Sequence, residues 1–131
     1  MITLLVVSIA LLVNAKTECT LENGSVGDHT ITSEAKFKKY ARDNPFFILG
    51  VTANWCQHCC QYETVYEEIH EQLKEREIPF ARVDSGKHSF IEKRMIQSDQ
   101  LPQLFAVVNG KMYRHMNYVN VADVMAFVNQ V

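Results

Sequence analysis

Three of the four cysteines of this chain, Cys56, Cys59 and Cys60, fall within five residues, and the fourth is Cys19. A framework of structural bridges would scatter its cysteines, so the clustering points to thiol chemistry. Cys56-Gln57-His58-Cys59 places two thiols one helical turn apart, close enough to form a small disulfide ring. The motif directly follows an apolar run and opens a helical pattern. At such a helix N-terminus the free amides and the helix dipole favour negative charge. A thiol placed there ionises at roughly pKa 3.5–7.5, against about 8.5 for a free one. Cys56 is thus expected to attack a disulfide, and Cys59 to resolve the mixed disulfide that results.

The neighbouring residues fit that chemistry. A cationic imidazole at His58 would favour the thiolate over the disulfide and make the pair more oxidising. The alternative is a solvent-exposed histidine with no role. Trp55 either offers substrates a flat surface beside the cysteines or packs into the core. Cys60, four residues after Cys56, is open to three readings: a second resolving thiol, a disulfide partner for Cys19, or an inert half-buried residue. A metal site built from Cys56, Cys59, Cys60 and a histidine fits poorly. Zinc favours two separated ligand pairs, and adjacent residues on a helix diverge by about 100°.

The surrounding sequence supplies the elements that hold the motif. Phe46 to Thr52 is a continuous apolar run of the kind found in strands buried on both faces. From Cys56 to about Arg76 the pattern is helical, with Tyr62, Val65, Tyr66, Ile69 and Leu73 as its apolar stripe. Glu63, Glu67, Glu71 and Glu75 are expected on the outer, solvated side. Before these, Thr30-Ile31 reads as a short edge strand, and Thr32 or Ser33 as the cap of a helix reaching about Arg42. Asn44-Pro45 ends that helix. Further strands are expected at Phe80–Asp84 and Leu104–Val108, with a short helix over 88–96 that turns Phe90, Ile91 and Met95 inward. Asn109-Gly110 signals a hairpin returning along Lys111 to about His115. Asn120 caps a last helix with the stripe Val121, Val124, Phe127, Val128 and Val131. Strands alternating with helices, then a hairpin and a closing helix, specify an α/β fold with a central mixed sheet and helices on both faces.

With these elements in place, Phe46–Cys59 resembles the strand and active site of thioredoxin-fold proteins. Cys56-Gln57-His58-Cys59 is similar to the version found in protein disulfide isomerase domains. Arg82-Val83-Asp84, Leu101-Pro102 before a strand and Asn109-Gly110 extend the resemblance over roughly residues 30–131. It implies a thioredoxin-like three-layer sandwich and a cis Leu101–Pro102 bond facing the cysteines. It also implies a substrate groove in which the Leu101 backbone pairs with a bound polypeptide, a form of strand addition. Gln57 stands where the family often has glycine, and with His58 would tune the redox behaviour of the pair. Thr64 replaces the proline usual in the middle of the active-site helix. Gly50 stands where the family usually has a buried carboxylate, which manages the proton of the second cysteine. No cofactor is implied.

Composition bounds the setting. The chain has 131 residues, 47% of them apolar and 21% charged, which suits one domain. A net charge of −2 does not suggest a nucleic-acid binder, and without a run of Lys and Arg nothing marks an anionic membrane surface as partner. Ile2 to Val13 is almost wholly apolar but too short to span a bilayer. With Val13-Asn14-Ala15 behind it, it reads as a cleaved signal peptide over residues 1–15, the alternative being an uncleaved anchor or a buried strand. Residues 16–29 read as a loose polar lead-in, and Asn23-Gly24-Ser25 as a glycosylation acceptor. The chain has no retrieval signal at its end, so both the endoplasmic reticulum lumen and secretion fit. The expected activity is thiol–disulfide oxidoreduction of the protein disulfide oxidase or isomerase type, performed by a monomer on cysteine-containing polypeptides, with no stable membrane association. The alternative is a slow binding or escort module using the same groove, a reading that Gly50 favours.

Overall fold

The structure, a computed structural model, describes residues 19–95, 100–115 and 120–131. The expected signal peptide lies outside the described residues. A two-residue strand β1 (His29–Thr30) comes first, one position earlier than the sequence suggests. Helix α1 (Glu34–Asp43) is capped by Ser33, whose hydroxyl accepts a hydrogen bond from the Lys36 amide. It ends at Asn44, because the residue before a proline is pushed out of the helical region.

Strand β2 (Phe46–Thr52) is the centre of the sheet. It runs parallel to β3 (Phe80–Asp84) and antiparallel to β4 (Gln103–Val108). β4 returns through Asn109-Gly110 into β5 (Lys111–Arg114). Both turn residues have positive φ, 50° and 83°, as this two-residue hairpin requires. The sheet order is β1-β3-β2-β4-β5.

Alternation along the strands makes two cores. Phe47, Leu49 and Val51 join Ala81, Val83, Phe105 and Val107 on one face, beneath Phe37 and Ala41 of α1 and Ile91 of a 3-10 turn (Ser89–Arg94). Ile48, Phe80, Leu104 and Ala106 occupy the other. They are covered by Tyr66, Ile69 and Leu73 of α2 (Cys59–Glu75) and by Val124 and Val128 of α3 (Val121–Gln130). The result is the expected three-layer α/β sandwich. Val131, read above as part of the α3 stripe, lies past the helix end and is 46% exposed.

The largest departure from the sequence reading is Glu63. It faces inward and is fully buried, while Glu67, Glu71 and Glu75 are exposed. Its partner is Arg82, which the alternation of β3 turns toward α2. Both Nη atoms of Arg82 grip the Glu63 carboxylate, at 2.7 and 2.6 Å. The remaining donors reach the carbonyls of Gly50 and Val26 and the Thr52 hydroxyl. The guanidinium also lies 4.6 Å from the Tyr66 ring centroid. The buried stripe of α2 therefore runs Cys59, Glu63, Tyr66, Ile69 and Leu73.

The segment before β1 also differs from the loose lead-in expected. Val26 is buried, its amide donating to Glu63 and its carbonyl accepting from Arg82. Asp28 accepts hydrogen bonds from the Phe80 amide and from His70, both at 2.8 Å. Burial alone would raise the pKa of Asp28. The Phe80 amide and the bond and charge of His70, with a further contribution from Lys74, outweigh it and hold the carboxyl below its ordinary value of 3.8.

Two outcomes follow for stability. Glu63→Ala strands the buried guanidinium and should cost about 3–5 kcal/mol in urea unfolding. The double variant Glu63→Ala/Arg82→Met should recover much of the loss, and a double-variant loss equal to the sum of the two single losses would show that the pair is not coupled. For Asp28 the folded pKa is depressed, so its contribution is present above the unfolded value and is lost as pH falls through the folded one. The stability gap between wild type and Asp28→Asn should hold steady at neutral pH and close below about pH 4. A gap that persists unchanged in acid would contradict this.

Candidate active site

Cys56 and Cys59 form a disulfide, with Cα atoms 5.4 Å apart. Regular helix begins only at Cys59, with His58 in the cap position, so Cys56 is not the first helical residue as the sequence suggested. It sits in a tight turn, where its amide donates to the Ala53 carbonyl and its carbonyl accepts from the Cys59 amide. The turn follows because Thr52 ends β2 and residues 53–58 must reverse the chain onto the face covered by α2. Cys56 still lies within one turn of the helix N-terminus, where the dipole acts.

Cys59 is fully buried and Cys56 nearly so. Trp55, 57% exposed, is a surface platform and does not pack into the core. It stands over the loop after β3, where a Cβ at Gly86 would displace the Asn54 side-chain amide and lie 3.1 Å from Trp55 Cδ1. Asp84 braces this loop, its Oδ1 accepting from the amides of Asn54, Gly86 and Lys87.

Across from the cysteines the Leu101–Pro102 peptide is cis. The Leu101 carbonyl oxygen lies 3.9 Å from Cys56 Sγ and 3.0 Å from His58 Nε2. His58 must therefore carry its hydrogen on Nε2 to donate to that carbonyl. Both ring nitrogens are 3.9 Å from Cys56 Sγ, so the sulfur lies beside the ring and not in line with one N–H. His58 thus ties the redox turn to the cis-proline loop while staying beside the nucleophile. Gln57 is exposed, with its carbonyl turned toward Cys60.

Of the three readings left open for Cys60, the structure has the disulfide with Cys19, their Cα atoms 5.6 Å apart. Asn23 has a position that sequence reasoning missed. Its Nδ2 donates to the carbonyls of Ala53 and Cys56, at 3.2 and 2.9 Å. A glycan on the same nitrogen would replace one of its two hydrogens, so only one of these bonds could remain. Glu63 was missed because the helix stripe was read from Tyr62. Started at Cys59, the same spacing passes through Glu63.

The side chain of Arg82 fills the space beside Gly50. A Cβ at position 50 would lie 2.9 Å from Arg82 Nε and 3.1 Å from its Cδ. The buried carboxylate on this side of the sheet is that of Glu63, one helical turn beyond Cys59 and on the same face. Among the described residues, no group of three or more His, Cys, Asp or Glu side chains is placed to hold a metal ion.

Comparison with solved structures finds the same fold in several proteins. The first thioredoxin domain of mouse protein disulfide-isomerase A4 matches with a TM-score of 0.68 at 24% identity, over 88% of this chain and 80% of that one. Human ERp44 in its zinc-bound form matches with a TM-score of 0.68 at 22% identity, over 80% of this chain. The chain spans only 30% of the length of ERp44. Plasmodium falciparum thioredoxin matches with a TM-score of 0.65 at 24% identity, over 79% of this chain and 98% of that one. Comparison with curated protein sequences finds no match. The family model described as thioredoxin matches residues 28–130, which include the cysteine pair, the buried Glu63–Arg82 pair and the cis-proline loop. The chain belongs to the thioredoxin family.

Proposed function

We propose that this domain is a thiol–disulfide oxidoreductase acting on cysteine-containing polypeptides in the secretory pathway, in the manner of a protein disulfide oxidase or isomerase. The observation that carries the reading is the Cys56–Cys59 disulfide at the start of α2, with Cys56 Sγ beside the Leu101 carbonyl. A substrate disulfide entering there meets Cys56 at the end of a helix dipole. The thiolate of Cys56 attacks one substrate sulfur and the other leaves as a thiolate. Cys59 then attacks the mixed disulfide, releasing the reduced substrate and closing the pair. Run in reverse, the same steps deliver a disulfide to a substrate dithiol.

The cis-proline loop supports a polypeptide substrate, since an extended chain can pair with the Leu101 backbone. His58 holds that carbonyl when the groove is empty, so a substrate amide pairing with it would displace the imidazole. Trp55 adds an exposed apolar surface on the same side. The secretory setting is supported by the apolar opening of the sequence and by the Cys19–Cys60 disulfide outside the redox pair, because such bonds persist in oxidising compartments. The slow escort reading rests on the missing carboxylate at position 50; the Arg82 side chain occupies that space, and the buried carboxylate nearby is that of Glu63, paired with Arg82.

Cys56→Ser should abolish the acceleration of insulin reduction by dithiothreitol that the protein provides, whereas Cys59→Ser should accumulate covalent mixed disulfides visible on non-reducing gels. Trapping by Cys56→Ser instead would reverse the roles. His58→Ala removes the polar ring beside Cys56 and should make the disulfide less oxidising against glutathione. Each 30 mV corresponds to about 1.4 kcal/mol for this two-electron couple, so a small effect is measurable. An unchanged potential would leave His58 only its bond to Leu101.

A further inference from the structure

The segment Cys19–Asp28 crosses the base of the redox turn and is fastened at both ends. At one end Cys19 is bonded to Cys60, the residue after Cys59 in the first turn of α2. At the other, Val26 is hydrogen-bonded to Glu63 and Arg82, and the Asp28 amide donates to the Phe80 carbonyl at 2.7 Å. Between these anchors Asn23 reaches across 30 and 33 residues of sequence to the carbonyls of Ala53 and Cys56. Those two carbonyls bracket the turn that carries the attacking thiol.

We propose that Asn23 is a positioning residue for Cys56, and that the Cys19–Cys60 disulfide is the redox-sensitive clamp that keeps it there. The proposal takes Cys56 as the attacking thiol, as argued above. An N–H donated to the carbonyl of Cys56 fixes the backbone of that residue and directs the positive end of the amide dipole at it. Sγ is then held near the helix terminus, where a thiolate is favoured. The clamp is more exposed than the catalytic pair. Cys19 is exposed and Cys60 half-buried, whereas Cys56 and Cys59 are buried. A groove of about 280 Å³ lined by Glu22, Asn23, Asn54, Cys60, Asp84 and Lys87 opens beside it. A small dithiol attacks one clamp sulfur and displaces the other as a thiolate, and its second thiol then closes its own ring. The clamp thereby gains two electrons and two protons, and the dithiol becomes a disulfide. With the clamp open, Asn23 is no longer held on the Cys56 carbonyl, and the Cys56 thiolate, which gains more from that donor's dipole than the uncharged disulfide does, loses stabilisation relative to the disulfide.

The test is the equilibrium of Cys56–Cys59 with glutathione, read by peptide mass mapping that resolves the two disulfides separately. It is measured on the full chain, on Asn23→Ala, on the isosteric Asn23→Asp, on Cys19→Ser/Cys60→Ser, and on the triple variant Asn23→Ala/Cys19→Ser/Cys60→Ser. Each change short of the triple should lower the equilibrium constant for reduction of the pair by about three- to tenfold, the range that one neutral hydrogen bond accounts for. The triple variant should fall no further than the larger of its components, because both act through one contact. A constant unmoved by Asn23→Ala or Asn23→Asp, even if the melting temperature drops, would overturn the proposal. Additive losses in the triple variant would overturn the link between clamp and Asn23. No polypeptide substrate enters the measurement, so its failure is distinguishable from a failure of the proposed activity.

Discussion

The pairing of Arg82 with Glu63 is the constraint around which the rest of the domain is arranged. An arginine with 1% of its surface exposed is tolerable only if its donors are satisfied, and here they reach a carboxylate, a hydroxyl and two carbonyls. Those partners come from α2, from β2 and from the segment before β1. One side chain thus fixes three parts of the molecule relative to β3. Since α2 carries Cys59 and β2 leads into the Cys56 turn, the pair also fixes the frame in which the two thiols meet. A buried ion pair contributes little net stability, because desolvation offsets most of the attraction. What it contributes is a single arrangement, since sliding α2 along the sheet would leave a charge stranded.

This arrangement also accounts for Gly50. Position 50 is directly in register with Arg82 across the β2–β3 ladder and points to the same face. A side chain there and the guanidinium would compete for one volume. The chain keeps a buried carboxylate on this side of the sheet but carries it on the helix. The acid and the second cysteine are therefore borne by one rigid element, four residues apart, so movements between helix and strand do not change their separation in the chain.

Much of the fold could be read in the sequence where local chemistry decides the outcome. Ser33 and Asn120 cap their helices because each side chain reaches an amide three residues on. The Asn109-Gly110 turn needs two positive φ values, and Phe46–Thr52 is too apolar to lie anywhere but the centre. The cysteine spacing made Cys56–Cys59 legible for the same reason. Legibility failed where the deciding partner was remote. Glu63 resembles its exposed neighbours Glu67 and Glu71 until Arg82, nineteen residues away, is placed beneath it. Asn23 carries a glycosylation triplet, and only the fold puts its amide against Cys56. The Cys19–Cys60 bond spans 41 residues and has no local signature.

The ends of the sheet bear on how such a domain can work among unfolded chains. β1 has two residues and β5 four, and β5 carries Lys111 and Arg114. A long flat edge would present a row of unpaired amides and carbonyls to any extended polypeptide, and so invite aggregation. These edges are too short and, at β5, too charged to act as templates. On the activity proposed above, an extended substrate would pair at the Leu101 loop beside the cysteines and not along the flanks, so half-folded molecules would be held at one point on the surface without coating it elsewhere.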